Sequence, residues 1–207
     1  MRTMIPVLLS CLLVSACDRG GNAPQKATAE KPAAPAPVQI TGPISKEYVE
    51  PVVGGAVMSQ GKDIMSNLSA SSEHTKFVAA IKAAGMLETL QGRGPFTVFA
   101  PTDAAFAALP AGRLNSLMLP ESRDDLATLL AYHIVPGRLD AEALQTLILA
   151  GGGSTQLKTV EGTIITASVG NGEATITDAK NNAARVNFPN VLQVNGVVHV
   201  LNRVLQP

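Results

Sequence analysis

Apolar positions along the chain change their period near its middle. In the first half they recur every three to four residues. Phe77, Ala80, Ile81 and Ala84 form one stripe, Leu126, Leu129, Leu130 and His133 a second, and Leu144, Leu147 and Ile148 a third. That spacing places each set on one face of a helix. Ser71 or Ser72 is positioned to cap the first helix and Gly85 to stop it. Ser122-Arg123-Asp124-Asp125 resembles a capping box with Asp in place of Glu, and opens the second. Asp140 precedes the third, which Gly151-Gly152-Gly153 ends. In the second half the period drops to two. Ile165, Ala167 and Val169 share one face of a strand, Gly170-Asn171-Gly172 turns the chain, and Ala174 and Ile176 continue the hairpin. Val186 and Phe188 alternate with Arg185 and Asn187 in a further strand. Asn195-Gly196 is a second turn signal, and Val197 to Leu201 reads as a strand buried on both faces.

One strand comes early. Thr97 to Ala100 is a short apolar run that meets Pro101, which blocks further ladder pairing. Thr102 then caps a short helix begun by Ala104, Ala105 and Phe106. Helices first, strands second and one strand contributed early predict an α+β domain. Its proposed extent is residues 61–207, preceded by an extended lead-in over 48–60 with Pro51 and Gly54-Gly55. No internal repeat is visible, so a single copy is expected.

The N-terminal segment has a different character. Arg2 supplies a positive end, and Ile5 to Val14 is an apolar run too short to span a bilayer stably, so residues 1–16 read as a signal peptide. Leu13-Val14-Ser15-Ala16-Cys17 looks like a bacterial lipobox, in which Cys17 is lipidated and becomes the new N-terminus. The alternative is an ordinary secretory signal with an incidental Cys17. Both cysteines, Cys11 and Cys17, fall in the first 17 residues, so no disulfide is expected in the domain. Lipidation would attach the chain to a membrane, since several acyl chains together hold firmly where one does not. Asp18 resembles an inner-membrane retention signal facing the periplasm, with the outer membrane or cell surface as the other destinations. Residues 17–47 are rich in Pro and Ala and lack an apolar period, as in a tether. Such a tether reaches about 30 Å if flexible and about 90 Å if polyproline-like.

Composition narrows the function by exclusion. Lys plus Arg and Asp plus Glu are 16 each, and aromatics are 3% with no Trp. A counterion-releasing nucleic-acid binder or a base-stacking platform is not expected. His74, His133 and His199 lack metal-ligand spacing, and no cofactor is expected. The nucleophile elbow, the zinc-protease helix, the P-loop and the dinucleotide fingerprint are all missing from the sequence, so the chain reads as a non-enzyme. Asn67-Leu68-Ser69 matches a glycosylation sequon, with little reason to expect its use in a bacterial lipoprotein.

Three ordered segments resemble the fasciclin-like domain family: Gly94-Pro95-Phe96-Thr97-Val98-Phe99-Ala100-Pro101-Thr102-Asp103-Ala104-Ala105-Phe106, then Tyr132-His133-Ile134-Val135-Pro136-Gly137, and finally Asn195-Gly196-Val197-Val198-His199-Val200-Leu201. The resemblance implies a β-sheet wedge with helices packed on one side. It makes Thr102, Asp103, Phe106, Asn195, Gly196 and His199 structural signature residues, with His199 hydrogen-bonded within the fold. In function it implies an extracytoplasmic binding or adhesion module contacting a protein or matrix partner that the sequence does not name. A periplasmic small-ligand binder or accessory subunit is the alternative. In animal fasciclin-like domains the equivalent of Tyr132-His133 has been linked to receptor binding, which makes this pair the interaction candidate. As residues at a helix-to-strand junction among Leu129, Leu130, Ile134 and Val135, they are better read as amphipathic core packing.

Overall fold

The computed structural model describes residues 49–170 and 172–207. The expectations for the signal peptide, Cys17, Asp18 and the tether lie outside the described residues. The segment expected as an extended lead-in instead carries a small antiparallel hairpin, β1 (Val52–Val53) with β2 (Ala56–Val57). Val53 and Met58 are buried in the first core cluster, so this segment packs as part of the domain. Gly54 and Gly55 make its turn with φ of 58° and 75°, which glycine alone adopts without strain.

Helices α1 (Ile64–Ala70), α2 (Thr75–Ala84) and α3 (Leu87–Gln91) follow, then β3 (Phe96–Pro101). α4 (Asp103–Ala107) and α5 (Arg113–Leu117) lead through a 3-10 turn at Pro120–Ser122 into α6 (Arg123–Tyr132) and β4 (Ile134–Pro136). After α7 (Ala141–Ala150) come β5 (Ser154–Lys158), β6 (Ile164–Gly170), β7 (Glu173–Thr177), β8 (Ala183–Gln193) and β9 (Gly196–Leu201). The sheet order is β4-β3-β9-β8-β7-β6-β5. β3 and β9 run parallel, and the other neighbours run antiparallel. Past the end of β5, the Val160 N–H donates to the Ile134 carbonyl of β4 at 2.8 Å, bringing the two edges together in a nearly closed α+β fold.

Two apolar clusters flank the central strands. α1 to α6 supply the first, where Phe77, Ile81, Leu90, Phe106, Leu126 and Leu130 meet Val98, Val198 and Val200. The second gathers Phe99, Tyr132, Leu144, Ile148, Ile165, Ile176 and Leu201. The period-two alternation of β3 and β9 therefore sends side chains to opposite cores, which is why β9 is buried at every position.

Three local predictions shift. The N-cap of α2 is His74, with neither Ser71 nor Ser72: Ser71 closes α1, and the Ser72 hydroxyl donates to the Gly54 carbonyl at 2.8 Å. Ser122 precedes α6 but makes no side-chain cap bond, because the Pro120 turn already winds the entry. Pro101 is the last residue of β3, in register with Leu201, and the Thr102 N–H still donates to the Leu201 carbonyl. Proline removes its own donor and leaves its neighbour's in place.

Candidate functional site

Tyr132 ends α6 and His133 is its C-cap. Consecutive residues at a helix end diverge, and here they enter different cores. The Tyr132 ring lies in the second cluster with 0% exposure, and its hydroxyl accepts from the Ala179 N–H at 2.9 Å. The His133 ring, 1% exposed, sits 6.4 Å from Phe77 of the first cluster. His133 Nδ1 is 2.8 Å from the Leu129 carbonyl, and Nε2 accepts from the Leu205 N–H at 3.0 Å. A carbonyl on one nitrogen and an N–H on the other select the neutral tautomer protonated at Nδ1. Burial pushes its pKa down to about 4, against the smaller opposing pulls of the Leu129 carbonyl and the Asp178 carboxylate. Neither side chain of the pair presents a surface to a partner.

His199 is likewise enclosed. It stacks on Phe99 with centroids 5.5 Å apart and planes 25° apart. Nε2 lies 2.8 Å from the Leu139 carbonyl, and the Asn190 N–H donates to Nδ1 at 3.3 Å. Burial lowers its pKa, more than the Leu139 bond and Asp140 raise it. His74 is the N-cap residue of α2, but its ring makes no cap bond. Nδ1 pairs instead with the Ser71 hydroxyl at 3.0 Å, and burial again lowers the pKa.

Thr102 and Asp103 cap two different helices. Thr102 Oγ1 accepts from the Ala105 N–H at 3.2 Å and closes α4. One carboxylate oxygen of Asp103 accepts from the Lys76 N–H at 2.8 Å, and the other accepts from the Thr75 hydroxyl. Asp103 thus satisfies the open end of α2, where His74 supplies no cap, while its own N–H donates to the Glu73 carbonyl at 2.7 Å. Phe106 then packs 6.4 Å from Phe77.

Asn195 does more than turn the chain. Its Oδ1 accepts from the Ile64 N–H at 3.0 Å, its Nδ2 donates to the carbonyls of Leu90 and Gly92, and its own carbonyl accepts from the Phe96 N–H. One side chain therefore joins the start of α1 and the end of α3 to the β8–β9 turn. At Gly196 a Cβ would collide with the Phe96 carbonyl oxygen, so only glycine lets β9 begin against β3.

The structural roles of two residues carried no signal in the sequence. Asp178, 4% exposed, accepts from the N–H groups of Lys180 and Asn182 and from that of Gln206, pinning the β7–β8 loop to the C-terminal segment. Asn67 of the sequon is fully buried and exchanges hydrogen bonds with the Ser59 backbone, so it is closed to modification in the folded domain. Among the described residues no cluster of His, Cys, Asp or Glu is arranged to hold a metal, and no helix is long and apolar enough to cross a membrane.

Comparison with known proteins agrees with this geometry. The fasciclin domain family matches residues 72–207. Protein sll1483 of Synechocystis sp. is 39% identical over 156 residues, covering 75% of this chain and 79% of that protein. Transforming growth factor-beta-induced protein ig-h3 of Sus scrofa is 35% identical over 144 residues, which are 70% of this chain but 19% of the much longer relative. Among solved structures, a FAS1 domain pair from the insect cell adhesion molecule fasciclin I superposes with a TM-score of 0.61 at 18% identity, over 70% of this chain and 51% of that one. The family match spans every helix and strand from α2 to β9, and the chain belongs to the fasciclin domain family.

Proposed function

We propose that this chain is an extracytoplasmic binding module that acts in adhesion or in contacts within the cell envelope or matrix, held to a membrane by a lipidated Cys17. Membership of the fasciclin domain family supports the adhesion part of this reading, because such domains occur in adhesion and matrix proteins, and the Leu13-Val14-Ser15-Ala16-Cys17 motif supports the anchor. The geometry is consistent with it. The signature residues serve the scaffold, the three histidines are buried with their pKa values lowered by that burial, and surface grooves are accessible. Binding by such a module occurs through its surface, because fold alone does not specify chemistry.

Attachment of cells with and without the protein tests the reading. Reduced attachment, or loss of an envelope complex, is the expected result, and no change in either would sink it. Asp18 favours a second reading, a periplasmic accessory or small-ligand role for a chain retained at the inner membrane. Protease added to intact cells separates the two. Digestion of the domain means surface display, and protection means periplasmic confinement.

A further inference from the structure

The sheet splits between β7 and β8. Their ladder has three pairs, from Thr177↔Ala183 to Thr175↔Arg185, and goes no further. β7 continues through Ala174 and Glu173 paired with β6, while β8 bulges on either side of residue 188 and turns to pair with β9. Between the parted strands lies a cleft of about 580 Å³, with Glu173 and Ala174 on one wall and Arg185, Val186 and Asn187 on the other. At one end Ala174, Val186 and Pro189 are shared with an apolar recess of about 170 Å³ beside α7, lined by Leu144, Ile148 and Val169. At the other end Asn187 is shared with a recess of about 340 Å³ edged by Glu73 and Asp103. Through these shared residues the three spaces adjoin one another and together make up the groove, with the cleft between the diverging strands bordering both recesses.

The ends of the groove differ in chemistry. Glu73, Asp103 and Glu173 bring three carboxylates to the polar part. Arg185 opposes them and bridges to Glu173 across the cleft at 3.2 Å, and the Lys76 ammonium lies 3.4 Å from the Asp103 carbonyl. The polar part is therefore net acidic, and the part beside α7 is apolar. We propose that this groove binds an extended polypeptide segment of a partner protein, with a basic side chain toward Glu73 and Asp103 and an apolar side chain in the recess beside α7. An extended chain fits because its alternate side chains project to one face while its backbone runs along a strand edge, the arrangement by which sheets recruit peptides. A compact small ligand would occupy one of the three spaces and leave the others unused. The groove takes its place in the cell from the reading of the chain as a binding module, but peptide binding by the purified chain is measured independently of it.

The probe is a phage-displayed library of linear random octapeptides selected on the full chain, with the strongest binder synthesised and titrated by calorimetry and by amide NMR. The expected peptides carry Lys or Arg toward one end and Val, Ile or Leu toward the other. Their amide shifts should centre on Glu173, Ala174, Arg185 and Val186. Glu173→Lys, at an exposed side chain, should weaken binding roughly fivefold, and Ala174→Trp should block it. Should Ala174→Trp fail to fold, Glu173→Lys still decides. No enriched peptide, shifts centred elsewhere, full affinity in Glu173→Lys, or a groove that takes octanoate and no peptide would each overturn the proposal. A chain that binds peptide, but whose removal leaves attachment and envelope complexes unchanged, would sink the adhesion reading and leave the groove standing. An attachment defect in a chain that binds no peptide would do the reverse.

Discussion

His133 has both ring nitrogens engaged and almost no solvent contact, so its charged form is disfavoured in the fold. The unfolded chain takes up the proton near the ordinary value of about 6.5, whereas the folded chain does so at about 4. The stability this group contributes is whole above about pH 6.5 and is lost as the pH falls through 4, to the extent of roughly 3 kcal/mol. His74 and His199, also lowered, act in the same direction. Urea unfolding at pH 7 and at pH 4.5 should show the loss, and His133→Gln should be less stable at pH 7 with a shallower pH slope. An unchanged slope would mean that another group titrates. His199→Ala, which removes a stacked and hydrogen-bonded ring, should cost roughly 1–3 kcal/mol. A change within noise would show that the β9 core reading is mistaken. Substitutions at Tyr132 or His133 that weaken binding in cells should do so through lost stability, since neither side chain is at the surface.

At the scale of elements, the caps separate predictions that the sequence treats alike. Thr102 and Asp103 each satisfy a helix start, and Ser122 does not. Thr102→Ala and Asp103→Ala should each cost about 1 kcal/mol, while Ser122→Ala should stay within about 0.5 kcal/mol. Chemical denaturation of the three variants side by side checks the ranking, and a large effect at Ser122 would contradict the cap assignment. Asn195→Ala should cost more than any of them, roughly 2–4 kcal/mol, because it leaves a buried N–H and two carbonyls without partners.

For the whole molecule, the hairpin at 52–57 belongs to the packed domain although the fasciclin domain match begins at residue 72. Met58→Ala should therefore destabilise by roughly 2–5 kcal/mol, as for a buried core side chain. A loss under about 0.5 kcal/mol would return this segment to the role of a linker. Membrane attachment is tested apart from the fold. Cells fed a clickable palmitate analogue should label the wild-type chain and not Cys17→Ser, and equal labelling of both would remove the anchor.

The helix stripes, apart from the exposed Leu147, the hairpin turn at Gly172 and the nearly all-apolar β9 were legible because each expresses the period of a single element against a core. Asp140 capped as expected, since a cap of this kind needs only its own first turn. What the sequence could not decide lies between elements. Asp103 caps a helix that begins 28 residues before it, Asp178 grips the C-terminal segment, and β3 lies parallel to a strand a hundred residues away. No local period encodes such partners, because they are set by which surfaces meet when the chain closes. The fate of Tyr132 and His133 has the same cause. A sequence places an amphipathic pair at a helix end, but only the two cores assembling on either side of it determined that both rings are buried.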